Sequence, residues 1–383
     1  MSNNIRLRSP LLDVRYLQRE GSDYLELDDG KGSFSSSYRN LDSNSKAVRH
    51  PIVAPVGMWK IPNGETYAFP KFPLIRAQGV LMLPPRNESG PYNLYPRAIP
   101  AQGFQVLKQN AEVVLARVPK KSISVDACAY VGTRSPRNWS HWLINFLPGV
   151  MVADNFFSHQ AAPPLVVGPG FRDGEARSSL FDYFWPDRET LLCEKDEMIR
   201  SREVFWFEQP YSDSPRPTSK GNLKPKFANF SIMKEFRRKL LEFASDVDSD
   251  RAFPEKIFLA RESAMSRTYN QEEVEAVAID AGYEVVYLNR LPIAQQIAVV
   301  SNADRIVGPT GSAFASTIVA KSGAKLLELS SITKNEKGED WYAPLANIAG
   351  AEYVITFGHL HFEKASRRIS LDTRMIAQAL STF

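Results

Sequence analysis

The stretch Arg305-Ile306-Val307-Gly308-Pro309-Thr310-Gly311-Ser312-Ala313-Phe314-Ala315-Ser316, followed by Lys325-Leu326-Leu327-Glu328-Leu329, decides how this chain is read. It has the form of a buried strand, a tight turn of small residues, a helix from Ser312 to Ala320, and a second buried strand that ends near a carboxylate. In an open α/β sheet a nucleotide lies against the loops at the carboxyl ends of the strands. Gly308 and Gly311 leave space for a ligand, and Thr310 and Ser312 offer hydroxyls beside the first exposed amides. An ordinary small-residue helix cap explains the same residues, so the surrounding sequence has to decide.

Upstream, Lys256–Ala260 reads as a strand. Asn270 and Glu273 form a capping-box-like pair opening a helix with Val274, Val277, Ala278 and Ala281 on one face. Tyr283–Tyr287 is the next strand, and Pro292 opens a helix carrying Ile293, Ile297 and Val300. Downstream come a helix at Trp341–Ala349, a strand at Tyr353–Thr356, and a last helix near Leu371–Leu380 placed back across the first domain. Such alternation predicts a parallel sheet covered on both faces.

The first half is less regular. Strands are expected at Val113–Val118, Ile123–Val125, Pro164–Val167, Thr190–Leu192 and Val204–Phe207, and a further element at Ser179–Trp185. A helix runs from Trp139 towards Phe156, bent at Pro148. Residues 1–90 show only short strands, at Glu65–Phe69 and Gly79–Leu83, beside a polar cluster at Ser33–Ser45. A Pro-, Ser- and Lys-rich segment, Gln209–Pro225, and a charged helix at Phe230–Ala244 together read as the linker region between domains.

The 383 residues are enough for two cores. With 47 basic and 43 acidic residues the net charge is +4, too small to argue for nucleic acid and compatible with anionic substrates or peripheral contact with a membrane. Cys128 and Cys193 are the only cysteines, which excludes a disulfide framework and a cysteine metal cluster. His359 and His361 alone are a weak metal signal. No apolar run approaches a membrane span and no secretory signal opens the chain, so a cytoplasmic location is expected.

Two places carry candidate chemistry. Arg261 follows the Lys256–Ala260 strand directly, with Arg267 and Asn270 beyond it; an arginine there can grip two phosphate oxygens and offset charge on a departing diphosphate. Ion pairing with Glu262, Glu272 or Glu273 is the competing role. Glu328 can accept both hydroxyls of a ribose, or serve as a capping or solvent-facing residue. The turn is neither the dinucleotide fingerprint nor a P-loop, which argues against hydride transfer and against that class of ATPase. In the first half, Trp139, His141, Trp142 and Asn145 fall within one short helical stretch. Indoles line sugar sites and a histidine serves as general base, although a core histidine fits the same pattern. Asp126 and Asp154 are rival bases.

Taken together, these blocks resemble the glycosyltransferases of family 61, in the branch that serves bacterial capsular and other surface polysaccharides. The likeness rests on His141-Trp142 with Leu147-Pro148, on Phe258-Leu259-Ala260-Arg261 with Arg267 and Asn270-Gln271-Glu272, and on Val307-Gly308-Pro309-Thr310-Gly311 with Glu328-Leu329. The resemblance implies an α/β protein of GT-B type, with two Rossmann-like domains facing across a cleft. Residues 1–90 are then an extension, 91–240 the acceptor domain and 241–383 the donor domain. It also implies inverting transfer from a nucleotide sugar to a glycan acceptor, with no cofactor and no obligatory metal. His141, Arg261 and Arg267 are the implied catalytic residues. Gly308, Thr310, Gly311, Ser312, Glu328 and Asn270 line the donor site, and Trp139, Trp142 and Asn145 the acceptor side. The chain departs from the family at Thr310, where a histidine is frequent, at Ala313 and Ser316, and at Asn145, where an acidic residue is common. A nucleotide-sugar epimerase and a catalytically silent carbohydrate-binding protein are the other classes compatible with the sequence.

Overall fold

The structure, a computed structural model, describes residues 5–13, 23–28, 36–40, 45–49, 56–67, 75–77, 79–83, 105–109, 113–132, 137–194, 197–213, 226–247, 253–262, 269–329, 341–356, 360–363 and 368–383. It is a mixed α/β protein with parallel and antiparallel strands. The chain divides into two compact units, Met1–Gly32 with Ile52–Met233, and Ser33–Pro51 with Lys234–Phe383. Residues 1–90, read as one extension, are therefore shared between the two units. The boundary at 233/234 falls inside the helix Phe230–Phe243. Part of the Gln209–Pro225 segment, Tyr211–Asp213, pairs with Lys226–Ala228 as a hairpin of the first unit.

The heart of the first unit is four parallel strands, Lys121–Tyr130, Leu165–Val167, Thr190–Leu192 and Glu197–Phe207. In chain order they lie 3-2-1-4 across the sheet, so the order reverses between Lys121–Tyr130 and Glu197–Phe207. Beyond Glu197–Phe207 the sheet continues antiparallel through Val56–Thr66, whose inward residues Trp59 and Ile61 join Cys128, Tyr130, Val204 and Trp206 in one buried cluster. Phe156 and Phe157 meet Phe205 and Phe207 at ring separations of 5.3–6.4 Å, which seats the helix Leu147–Phe156 on the sheet.

The second unit carries a parallel sheet of Lys256–Leu259, Glu284–Val286, Arg305–Pro309, Lys325–Leu329 and Glu352–Thr356, in the order 2-1-3-4-5. It is extended by the hairpin Ser36–Asn40 and Ser45–Arg49, the first strand of which runs parallel to Glu352–Thr356. Side chains alternate across the pleat. Phe258, Val307, Leu327 and Val354 point to one face and pack with Val274 and Ala278 of the helix Gln271–Asp280 and with Ile376, Ala379 and Leu380 of the helix Thr373–Thr382. The C-terminal helix, expected across the first domain, is thus part of the second unit's own core. Ser312–Val319 is a 3₁₀ helix rather than the α-helix expected from its pattern, eight residues long where such helices are usually a turn. Its Phe314, Ala315, Ile318 and Val319 are buried, so packing rather than local propensity sustains it. Among the described residues, no helix is long and apolar enough to cross a membrane.

Candidate active site

In open parallel sheets, ligands bind outside the carboxyl ends of the strands where the strand order reverses. Each unit has one such point, and each carries residues singled out from the sequence.

In the first unit, Lys121–Tyr130 leads into the helical stretch that holds His141. Asn138 opens it, its Oδ1 accepting from the Ser140 amide at 2.9 Å. One α-turn, Trp139–His141, gives way to a five-residue π-helical turn, Trp142–Phe146, before α-helix resumes at Leu147–Phe156. Pro148 brings no N–H to the ladder, and the wide turn stands directly before it. The bend expected at Pro148 is therefore a widening that begins just after His141.

His141 Nδ1 lies 2.8 Å from Asn145 Oδ1. The Asn145 side chain is 3% exposed and its Nδ2 donates to the Tyr211 carbonyl, which can only accept. That bond orients the amide: Oδ1 faces the imidazole, so Nδ1 carries a proton and, in the neutral ring, Nε2 holds the lone pair. A neighbouring bond of the same kind has Gln209 Nε2 donating to the Gly132 carbonyl. The segment after Glu197–Phe207 is thereby tied to the segment after Lys121–Tyr130 across the reversal point.

Arg177 adds a second tie. Its guanidinium, 8% exposed, donates to the carbonyls of Arg137 and Gly170, both at 2.7 Å, and lies 5.6 Å from the Trp142 ring. Burial lowers its pKa. Trp142 in turn stacks on Trp139, with ring centroids 5.5 Å apart and planes at 21°. Trp142 is wholly buried at 0% exposure, so it serves as the backing of this stack and not as an acceptor-side surface; Trp139 is partly exposed. The rival bases lie elsewhere. Asp126 is 85% exposed and pairs with Arg202 at 3.3 Å in mid-strand. Asp154 sits at the far end of the helix, in the field of Arg188, which stands just ahead of Thr190–Leu192.

In the second unit the order reverses between Lys256–Leu259 and Arg305–Pro309. Arg261 follows the first of these strands and the Thr310–Ser312 turn follows the second. A Cβ on Gly311 would come 2.9 Å from Arg261 Cζ, so Gly311 makes room for that guanidinium. A Cβ on Gly308 would meet the Leu259 carbonyl oxygen at 2.9 Å and Phe314 at 3.4 Å. The space at Gly308 is thus filled by its own sheet and helix neighbours, not held open for a ligand. Thr310 is likewise turned inward, its amide and hydroxyl reaching the Leu329 carbonyl at 3.0 and 3.3 Å. Ser312 is partly exposed at the head of the 3₁₀ helix.

Glu262, the nearest acidic residue to Arg261 in sequence, is engaged by Arg290 at 2.6 and 3.0 Å, and that pair lowers the pKa of the carboxyl. Glu273 accepts from Asn270 at 2.8 Å. Asn270 does not cap the helix through its side chain; it bridges both backbone groups of Leu371 at 2.8 and 3.0 Å. Glu328 pairs with Gly308 in the sheet and is 0% exposed, neither capping nor facing solvent. Arg267 and His359 lie outside the described residues. Among the described residues no group of three or more His, Cys, Asp or Glu is placed to hold a metal ion.

Sequence reading missed Tyr211, Gln209 and Arg177. All three act through or upon backbone carbonyls, which leave no residue-type signal, and most of the partners are far apart in the chain.

Each unit is built around parallel strands, with polar and basic groups at the point where their order reverses, in a mixed α/β protein. Residues 139–327, which run from the start of the His141 helix to the strand carrying Glu328, match the family model described as Glycosyltransferase 61. The match covers a little under half of the chain and is a likeness to that family. No curated protein matches the chain.

Proposed function

We propose that this protein is an inverting glycosyltransferase of GT-B type, which moves a sugar from a nucleotide-sugar donor to a glycan acceptor of a surface polysaccharide without requiring a metal ion. The observation that carries this reading is the oriented imidazole: His141 Nδ1 at 2.8 Å from an Asn145 amide that is itself anchored on the Tyr211 carbonyl. A histidine held in one tautomer by a second group is the arrangement a general base requires.

In this scheme the acceptor binds on the first unit, with the exposed side of Trp139 as an apolar platform for a sugar ring. His141 Nε2 takes the proton of the acceptor hydroxyl as that oxygen attacks the anomeric carbon. The bond from the anomeric carbon to the diphosphate oxygen breaks on the opposite face, and the nucleoside diphosphate leaves. Arg261 offsets the charge that builds on it, the service a divalent ion performs in other transferases. Arg267 is assigned the same role. Ser312 is the hydroxyl presented at the turn. Glu328, buried in the sheet beside Gly308, is assigned to the ribose hydroxyls, a contact that requires its carboxylate to be uncovered.

Incubation of the purified protein with a panel of nucleotide sugars, with and without glycan acceptors, tests the class. A glycosylated product that needs both donor and acceptor is expected. An epimerised donor formed without acceptor would point to an epimerase, and glycan binding with no turnover to a silent binding protein. Chelation with EDTA should leave most activity intact; activity lost on chelation and restored by Mn²⁺ would overturn the role given to Arg261.

A further inference from the structure

Buried tyrosine hydroxyls without a hydrogen-bond partner are uncommon enough to call for an explanation. In the second unit, among the described residues, Tyr269, Tyr283 and Tyr353 carry such hydroxyls. Tyr283 stands just ahead of Glu284–Val286, and Tyr353 is the second residue of Glu352–Thr356. Both therefore lie towards the amino-terminal side of the parallel sheet, away from the edge where ligands bind. Tyr269 differs. It lies on the connection from Lys256–Leu259 to the helix Gln271–Asp280, on the carboxyl side and beside the reversal point.

Its surroundings hold it still. Tyr269 is 8% exposed and packs with Phe258, Ala260 and Leu329. Its carbonyl accepts from the Gln271 amide at 2.8 Å, and the next residue, Asn270, is pinned to Leu371. The hydroxyl oxygen lies towards the Arg261 backbone N–H, in the field of Glu275, Tyr287 and the Arg261 guanidinium. Glu275 is already engaged by the Tyr287 hydroxyl at 2.7 Å. Burial, with Glu275 and Tyr287 adding to it, pushes the Tyr269 phenol well above its ordinary range, so the group keeps its proton. A protonated phenol whose O–H has no acceptor calls for an acceptor from outside, and Arg261 at the same place selects for an anionic one.

We propose that the Tyr269 hydroxyl donates a hydrogen bond to a phosphate oxygen of the nucleoside diphosphate that Arg261 holds. The proposal rests on the assignment of the nucleotide site to the second unit. It makes Tyr269 a binding residue that the residue pattern alone does not reveal, because an aromatic ring at this position reads as core.

The test is calorimetric titration of the full chain with UDP, GDP, CDP and ADP, run on the parent, Tyr269→Phe and Arg261→Ala, with thermal unfolding measured in parallel. The parent should bind at least one of the four. Tyr269→Phe should bind that diphosphate about tenfold more weakly, the loss expected of one hydrogen bond to a charged group. Its Tm should stay near the parent's, because among the described residues the O–H removed donates to no acceptor. Parental affinity in Tyr269→Phe, with or without a fall in Tm, overturns the proposal; a fall in Tm would mark the hydroxyl as structural. If Arg261→Ala binds weakly while Tyr269→Phe binds as the parent, only the role of Tyr269 is lost. If the parent binds none of the four, the nucleotide site itself is misassigned and the proposal falls with it.

Discussion

The two reversal points are built in opposite ways. In the first unit, side chains reach across the sheet to backbone carbonyls: Asn145 to Tyr211, Gln209 to Gly132, and Arg177 to Arg137 and Gly170. In the second unit the decisive feature is a missing side chain, with Gly311 admitting the Arg261 guanidinium and Gly308 admitting Leu259 and Phe314. One site is held by hydrogen bonds and the other by close packing. A base needs a fixed proton inventory, which directional bonds supply. A phosphate-binding arginine needs placement and charge, which close contact supplies.

The largest effect that can break this comparison is at the first point. His141→Ala should lower transfer by roughly 10²–10⁴-fold, the usual contribution of a general base, while nucleoside diphosphate affinity stays parental. Steady-state kinetics together with calorimetry check both halves; an active His141→Ala enzyme would remove the base from the scheme.

Arg261→Ala should cost about 10²-fold in transfer, in line with loss of one electrostatic donor to a developing charge, and should weaken diphosphate binding as well. The two variants therefore separate: the first spares binding and the second does not. Equal binding by both would erase the proposed division between the units.

Asn145→Ala should lower transfer less than His141→Ala, by about tenfold. It should also cost about 1–3 kcal/mol of stability, since the buried Tyr211 carbonyl loses its donor and the imidazole its orientation. Denaturant unfolding and the pH profile of transfer are the measurements. A shifted pH profile identifies an oriented base, which a purely structural asparagine would leave unmoved.

The glycines sharpen the second point. Gly308→Ala should destabilise the protein by about 1–3 kcal/mol, because the new methyl meets a backbone oxygen that cannot move aside. Gly311→Ala should leave stability near parental, because a flexible guanidinium can move, and should lower transfer several-fold. Thermal unfolding and kinetics on the pair would show whether the glycines divide in this way.

The smallest effect concerns the buried thiol. Burial pushes Cys128 from 9.0 to about 12. The folded protein thus holds the proton more tightly than the unfolded chain. The associated stability is full below pH 9.0 and lost as pH rises towards about 12. Native protein should resist iodoacetamide at Cys128, and Cys128→Ala should show a shallower loss of stability across that range.

Much of the second unit was legible in the residues. Apolar runs bounded by Gly, Pro and charges marked Lys256–Leu259, Arg305–Pro309 and Lys325–Leu329, and alternating helices made the sheet parallel. Arg261 could be placed at a strand end for the same reason. The 3₁₀ form of Ser312–Val319 was not legible, because α and 3₁₀ helices share their apolar pattern over such a length and packing chooses between them.

What the sequence determined by itself was local: which segments become strands and helices, and which charged or titratable residues stand at their ends. Those properties follow from period, turn chemistry and residue type within a few neighbours. Tertiary structure decided what depends on distant partners. It joined Ser36–Asn40 and Ser45–Arg49 to the sheet of the second unit, buried Trp142 and left Trp139 partly exposed, and turned Glu262 to Arg290. It also set the proton of His141 through a carbonyl at Tyr211, since the strength and direction of a hydrogen bond depend on where the acceptor lies and not on its place in the chain.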